Sequence, residues 1–108
     1  MSVALIIEQI DGIESGKYVP VAVQSVYDTY WMPLCENRNL KNLELISTGS
    51  SFTEQDIDVL IGELNVFRSA LFSAGFPKDT LAYVDERSAL LISELGHLKN
   101  HTARFFIG

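Results

Sequence analysis

The segment between residues 52 and 71 constrains the fold most, because it joins a complete helix start to a long apolar stripe. Thr53 is a good N-cap with Asp56 as its capping-box partner, and Phe52 and Ile57 occupy the two positions of a hydrophobic staple. The apolar residues that follow recur at helical spacing and are Ile57, Leu60, Ile61, Leu64, Phe67 and Leu71. This period predicts an amphipathic helix with one buried face.

A second helix is predicted after a break in the chain. Gly75 and Pro77 are typical of a helix end, and Asp79 or Thr80 can begin the next helix. Its apolar stripe consists of Val84, Leu91, Leu95 and Leu98. The tail from 103 to 107 fits either a continuation of this helix or a final strand.

The first quarter of the chain predicts a β-hairpin. Residues 3–10 are apolar and β-branched, and residues 17–23 alternate well enough for a second strand. The turn-forming residues between them, Asp11-Gly12 and 14–16, predict a rather long connecting loop. Pro20 cannot donate a ladder hydrogen bond, so we expect the second strand at a sheet edge or with a bulge.

The middle of the chain predicts one more helix and one more strand. Ser25 can cap a helix that Pro33 would kink or end, and Leu43–Ile46 has the composition of a short third strand. The resulting order is ββαβαα. It predicts an α+β domain spanning residues 1–108, in which a small antiparallel sheet carries helices on one face.

Composition excludes several classes of function. The 108 residues carry a formal net charge of −6 and 47% apolar side chains, a balance typical of a globular protein. The acidity argues against direct binding to nucleic acid or to an anionic membrane surface. Residues 3–7 form an apolar stretch that is too short to span a bilayer or to serve as a signal sequence. A single cysteine, Cys35, agrees with a reducing compartment, and we expect a cytoplasmic location.

Most of the charge is concentrated in one window. Between residues 42 and 67 there is no Lys or Arg, and five acids contribute −5 of the −6: Glu44, Glu54, Asp56, Asp58 and Glu63. Two interpretations are equally open. The window is either a solvated surface that favours solubility or a negative surface that attracts a basic protein.

Aromatic residues supply candidate anchors for such a partner. Tyr18, Tyr27, Tyr30, Trp31 and Phe52 lie in the first half of the chain. Aromatic residues of a small domain usually pack in its core, but an exposed Tyr or Trp is a favoured contact residue in interfaces. Tyr27 and Trp31 are therefore candidate partner-binding residues together with the five acids.

Other motifs favour structural roles. Glu94, His97 and His101 would share a helix face, but no further ligand stands near them, and we expect no metal. No histidine is near Cys35 in the sequence, which favours a buried apolar role for this thiol. Residues 47–51 precede a helix start that is crowded with acids, which favours capping over anion binding. We predict no catalytic residue and no cofactor.

Several segments resemble small bacterial toxin-immunity proteins. The resemblance rests on Tyr18-Val19-Pro20-Val21-Ala22 through Trp31-Met32-Pro33, on Leu43-Glu44-Leu45-Ile46 with Thr48-Gly49, and on 56–64. It covers roughly the middle half of the chain. Proteins of this class are small, cytosolic and often acidic, and they bind and block a toxin that is frequently a basic nuclease. The class includes several folds, so the resemblance implies a kind of partner rather than a fold.

The leading hypothesis is a non-enzymatic inhibitor of a basic toxin or nuclease. One alternative is a homo-oligomeric structural or accessory domain, with a homodimer as the simplest form. Another is a small-molecule binder or enzyme with a site between sheet and helices. A weaker alternative is an inhibitor that imitates nucleic acid through spaced carboxylates.

Overall fold

A computed structural model describes residues 2–108, and within them four strands form one antiparallel sheet. The strand order is β2-β1-β4-β3, so the first and last strands of the chain lie side by side in the centre. The strands are β1 (Ser2–Ile10), β2 (Ile13–Val23), β3 (Ser50–Thr53) and β4 (Ala103–Ile107). Helices pack on the sheet, which confirms the predicted α+β class.

The β1–β2 hairpin is confirmed, but its turn is shorter than predicted. Asp11 and Gly12 both have positive φ angles, 53° and 80°, and they alone connect the strands. A two-residue turn with positive φ at both positions has a twist that matches that of the flanking strands, and an Asp-Gly pair adopts these angles readily. Residues 14–16 therefore belong to β2. Pro20 lies in this edge strand opposite Ala4, beside a register shift, as its missing N–H predicts.

A helical stretch follows directly and contains an unusual turn. It comprises α1 (Gln24–Val26), a π-helical turn (Tyr27–Trp31) and α2 (Met32–Asn37). The predicted cap at Ser25 is wrong, because the stretch begins at Gln24 without a side-chain cap. Pro33 lies inside this continuous stretch, directly after the wider π turn, and does not end it, since the helix continues to Asn37.

The predicted strand Leu43–Ile46 is also wrong. These residues belong to α3 (Lys41–Glu44) and to a 3₁₀ turn (Leu45–Thr48). Leu43 and Ile46 are buried while Leu45 is 48% exposed, which is the spacing of a helical turn rather than of a strand. The third strand begins only at Ser50, after Gly49 reverses the chain at φ 79°.

The two long helices agree with their apolar stripes. They are α4 (Ile57–Leu71) and α5 (Lys78–Leu98). The capping box at Thr53 is present, with a 3₁₀ turn (Glu54–Asp56) leading into α4. The end of α4 differs from the prediction, because Gly75 and Pro77 lie in the connection to α5 and not in the helix end itself.

Residues 103–107 form the strand β4, which lies between β1 and β3. The tail is therefore a strand and not a continuation of α5. Phe105 is fully buried and stacks on Phe52 of β3, with ring centroids 5.7 Å apart. On the other face of the sheet, Phe106 covers Gly49 so closely that a Cβ there would approach its ring to 2.5 Å. Among the helices of residues 2–108, none has the length and apolarity needed to cross a bilayer.

Candidate functional site

Two of the predicted contact residues, Tyr27 and Trp31, lie in the core. Both side chains have 0% relative exposure. The Trp31 ring stacks on Phe67 of α4 at a centroid distance of 4.5 Å, and on Tyr27 at 6.1 Å. The Tyr27 hydroxyl donates to the carbonyl of Leu43 at 2.8 Å, and burial raises its pKa above the usual range. The structure therefore corrects the anchor role to a packing role, because neither ring reaches the surface.

Glu63 of α4 binds the beginning of α3. Its carboxylate accepts hydrogen bonds from the backbone N–H groups of Asn42 at 3.0 Å and Leu43 at 3.1 Å, and from the Asn42 side-chain amide at 2.6 Å. These are backbone donors that a helix start leaves without an internal partner. Because α3 has no side-chain cap of its own, Glu63 supplies that function from 20 residues away in the sequence.

Glu54 and Asp56 also have structural partners. Asp56 Oδ2 accepts from the backbone N–H of Thr53 at 2.9 Å and closes the capping box. Glu54 Oε1 accepts from the backbone N–H of Ala103 at 3.2 Å, which joins the start of α4 to the start of β4. Both carboxylates therefore stabilise the junction between the sheet and α4.

The remaining two acids form ion pairs. Glu44 lies 3.5 Å from Lys41 Nζ and its side chain is 20% exposed. Asp58 lies 3.1 Å from Lys99 Nζ, and its side chain is 74% exposed. Exposed ion pairs contribute little to stability, at most about 1 kcal/mol. Asp58 is therefore the acid of the window that is most accessible to a partner.

Sequence reasoning missed the exposed apolar residues of the same window. Leu45, Val59 and Val66 are 48%, 53% and 46% exposed. The signal for Val59 and Val66 was present, since both fall off the apolar stripe that predicts the buried side of α4. An isolated exposed valine needs no explanation, but two on one helix face form a local apolar surface.

These residues share a face of α4 that points away from the core. A helix turns 100° per residue, so Val59, Gly62 and Val66 project opposite the buried stripe. We call these three residues the α4 outer face. Asp58 lies on one flank, and Glu63 with the attached α3 lies on the other. The arrangement is a narrow apolar strip with the exposed carboxylate of Asp58 on one flank, while the Glu63 carboxylate on the other flank is bound to α3.

Two open grooves lie elsewhere. One, of about 470 Å³, separates α2 from the α4–α5 connection, and its walls include Arg38 and the Tyr30–Phe76 pair, whose centroids are 4.9 Å apart. Arg38 caps the end of α2, where a cation is favourable. The other, of about 350 Å³, is lined by residues such as Val26 and Tyr83. The histidines line neither groove.

The remaining candidate residues also have internal roles. Cys35 is fully buried, and burial raises the pKa of its thiol to about 12, which disfavours the reactive thiolate. Glu94 pairs with Lys17 at 2.8 Å, and His101 lies beyond the end of α5. Within residues 2–108, no three His, Cys, Asp or Glu side chains cluster in a way that could hold a metal ion.

His101 instead binds the hairpin turn. Its Nδ1 donates to Asp11 Oδ2 at 2.8 Å, while Asp11 Oδ1 accepts from the backbone N–H of Thr102 at 3.0 Å. The His101 hydrogen bond, followed by the Thr102 N–H, lowers the pKa of Asp11 from its ordinary value. A lowered carboxylate pKa stabilises the fold above that ordinary value, and the contribution is lost as the pH falls through the lowered pKa.

We expect this contact to weaken in strongly acidic solution. The amide resonance of Thr102 should shift in one step as Asp11 is protonated, at a pH below the usual range for aspartate, because the neutral carboxyl is a weaker acceptor. A pH titration followed by two-dimensional NMR measures this. Asp11→Asn should abolish the step, and a step that persists in this variant would disprove the assignment.

Comparisons with known proteins returned nothing similar to this chain: no family model matches it, and the searches of curated proteins and of solved structures found no match.

Proposed function

We propose that the protein is a non-enzymatic binding module that neutralises a basic partner, a toxin or nuclease, in the manner of an immunity protein. The observation that carries the proposal is the apolar α4 outer face beside the exposed carboxylate of Asp58. Apolar side chains supply contact area, while the acids attract a basic surface and match its charge. The net charge of −6 extends the same attraction to longer range.

The acids contribute unequally to this proposal. Glu54, Asp56 and Glu63 are bound to backbone N–H groups, so their replacement would disturb the fold as well as any interface. Replacing Asp58 tests the surface charge without disturbing the fold, because this side chain is highly exposed and its ion pair with Lys99 lies at the surface. Glu14 is the matched control, because it is exposed on the edge strand β2, away from α4.

The test begins with the partner. The protein is immobilised, its partner is captured from a lysate of the source cell, and the catalytic activity of that partner is measured with increasing amounts of the inhibitor. We expect a basic protein that loses its activity at a one-to-one ratio. A captured protein whose activity is unchanged at saturation would refute the inhibitor role.

Association rates then test the surface. Asp58→Lys and Glu14→Lys each change the net charge from −6 to −4. We expect Asp58→Lys to slow association by roughly 3- to 10-fold at low salt and to flatten its salt dependence, because local charge steers the encounter. Glu14→Lys should change the rate much less. Equal effects of the two variants would show that only bulk charge matters.

Light scattering tests the alternative of a homo-oligomer. We expect a monomer, because a net charge of −6 on each copy opposes self-association. A stable dimer would favour the structural role instead.

A further inference from the structure

The groove between α2 and the α4–α5 connection has one closed, aromatic end. Its lining residues on the first wall recur four apart, at Tyr30, Leu34 and Arg38, so they share one face of the helical stretch. On the opposite wall, Phe76 packs edge-on against Tyr30 at a centroid distance of 4.9 Å. The two walls therefore meet at this pair of rings. The volume of about 470 Å³ falls within the usual size of a small-molecule site.

Arg38 lies at the other end and is the one charged residue among the described residues that line the groove. It stands eight residues after Tyr30, which corresponds to about 12 Å along the helix axis. Ion pairs within residues 2–108 engage five of the eight Lys and Arg residues, and Arg38 is not among them. Its guanidinium carries N–H donors in a fork that fits a carboxylate. These donors are therefore available to an anion from outside the chain.

We propose that this groove binds a small aromatic carboxylic acid. The aromatic ring packs on the Tyr30–Phe76 pair, the carboxylate accepts from Arg38, and Leu34 and Ala70 contact the part between them. Because the rings and Arg38 lie on different turns, the acid carries its carboxylate on a short alkyl chain rather than directly on the ring. One arginine balances one negative charge, which favours a monocarboxylate over a nucleotide with several charges.

The probes are 4-phenylbutyrate, its neutral amide and benzoate, each titrated into the full chain and followed by NMR. We expect 4-phenylbutyrate to give saturable shift changes concentrated in residues 29–38 and 70–76, which hold the lining of the groove. The amide should bind about tenfold more weakly, because hydrogen bonds to an ionised acceptor are the stronger ones. Benzoate should also bind more weakly, because it cannot reach both ends.

Three results would overturn the proposal at this stage. The first is equal binding of the acid and its amide, because the carboxylate would then not contact a cation. The second is a set of shift changes centred on the other groove, near Val26 and Tyr83. The third is the absence of saturable shift changes with any of the three probes.

Arg38→Gln tests the cation, and Lys99→Gln is its matched control. Each residue is the exposed C-cap of a helix, and each variant removes one positive charge. We expect Arg38→Gln to weaken the binding of 4-phenylbutyrate by about tenfold, because the carboxylate loses its charged donor. Lys99→Gln should leave binding unchanged. Equal weakening by the two variants would show attraction by bulk charge and would overturn the site.

Ala74→Leu tests the space, and Ala82→Leu is its matched control. Both alanines are exposed, but only Ala74 lines the groove. Exposed substitutions of this kind rarely disturb a fold, so both variants should melt near the wild-type temperature. We expect Ala74→Leu to weaken the binding of 4-phenylbutyrate several-fold, because its side chain takes up part of the groove, and Ala82→Leu to have no effect. Undiminished binding by Ala74→Leu would place the ligand elsewhere.

The end of a peptide chain offers similar chemistry and is the competing occupant. A short peptide with a C-terminal phenylalanine carries a carboxylate beside its ring. If this peptide bound more tightly than 4-phenylbutyrate and lost its affinity on C-terminal amidation, the small-molecule assignment would be wrong. None of these measurements uses the captured basic partner, so failure of this inference and failure of the proposed function are distinguishable.

Discussion

Trp31→Ala is expected to lower the free energy of unfolding by about 3 to 5 kcal/mol, the usual cost of truncating a buried aromatic residue to alanine. The ring is fully buried and stacks on Phe67 and Tyr27, so its removal leaves a cavity between the π-helical turn and α4. A domain of this size is stabilised by only about 5 to 15 kcal/mol in total. The variant should therefore lose a large fraction of the total stability.

Urea denaturation measures this loss, and Tyr30→Ala is the matched control. Tyr30 is the neighbouring aromatic residue, but it is only half-buried and packs edge-on against Phe76. We expect a loss of about 1 kcal/mol there. Trp31→Phe should cost less than Trp31→Ala, because phenylalanine fills most of the cavity that alanine leaves. Both variants remove the Trp31 Nε1 donor, which is buried without a hydrogen-bond partner within residues 2–108. A loss below about 1 kcal/mol for Trp31→Ala would contradict the core role.

Glu63→Ala is expected to lower the free energy of unfolding by about 2 to 3 kcal/mol, because it leaves partly buried backbone donors without their charged acceptor. Those donors are the N–H groups of Asn42 and Leu43, at the start of α3. Glu63→Gln keeps one acceptor oxygen and should lose roughly half as much. Asp58→Ala, which removes only an exposed ion pair, should stay within about 0.5 kcal/mol of wild type.

The same series separates structural from steering roles among the five acids. If Glu63→Ala lowered the free energy of unfolding no more than Asp58→Ala does, Glu63 would act only as a surface charge. That result would support the interpretation that the acidic window mainly attracts a basic partner. We expect a larger loss of stability for Glu63→Ala, which would show that Glu63 stabilises the fold and that Asp58 is the charge accessible to a partner. Thermal denaturation at low and high salt distinguishes the two residues, because a partly buried carboxylate cap is screened less than an exposed ion pair.

Local signals predicted the elements whose causes are local. Thr53 and Asp56 form their capping box within one turn, and the apolar stripe of α4 needs no information beyond its own sequence. The Asp11-Gly12 turn and the edge position of Pro20 follow from backbone constraints of single residues. These parts were predictable because the stabilising partners are close neighbours in the chain.

Elements whose causes lie far away were missed or left open. Leu43–Ile46 satisfies a short strand pattern as well as a helical one, and a contact that favours the helix comes from Glu63, which caps α3 from the next helix. The tail 103–107 becomes a strand because β1 and β3 stand on either side of it. A four- or five-residue apolar segment carries too little information to specify its own partners.

The acidic window shows the same division. Its charge is evident from the sequence alone, but the partners of each carboxylate are not. Lys99 and the N–H of Ala103 reach Asp58 and Glu54 from more than 40 residues away, and α3 reaches Glu63 across an interhelical contact. The number of acidic residues counted in the sequence therefore overestimated the number of carboxylates that a partner could reach.

The sequence by itself determined the α+β class, the hairpin, the capped helix and the total charge, because hydrophobic period, backbone constraints and formal charge are properties of neighbouring residues. Only the tertiary structure decided which side chains are accessible. It buried Tyr27 and Trp31, tied three acids to backbone donors and exposed Val59 and Val66 beside Gly62. Accessibility depends on which elements pack against one another, and that choice is made by contacts between distant segments.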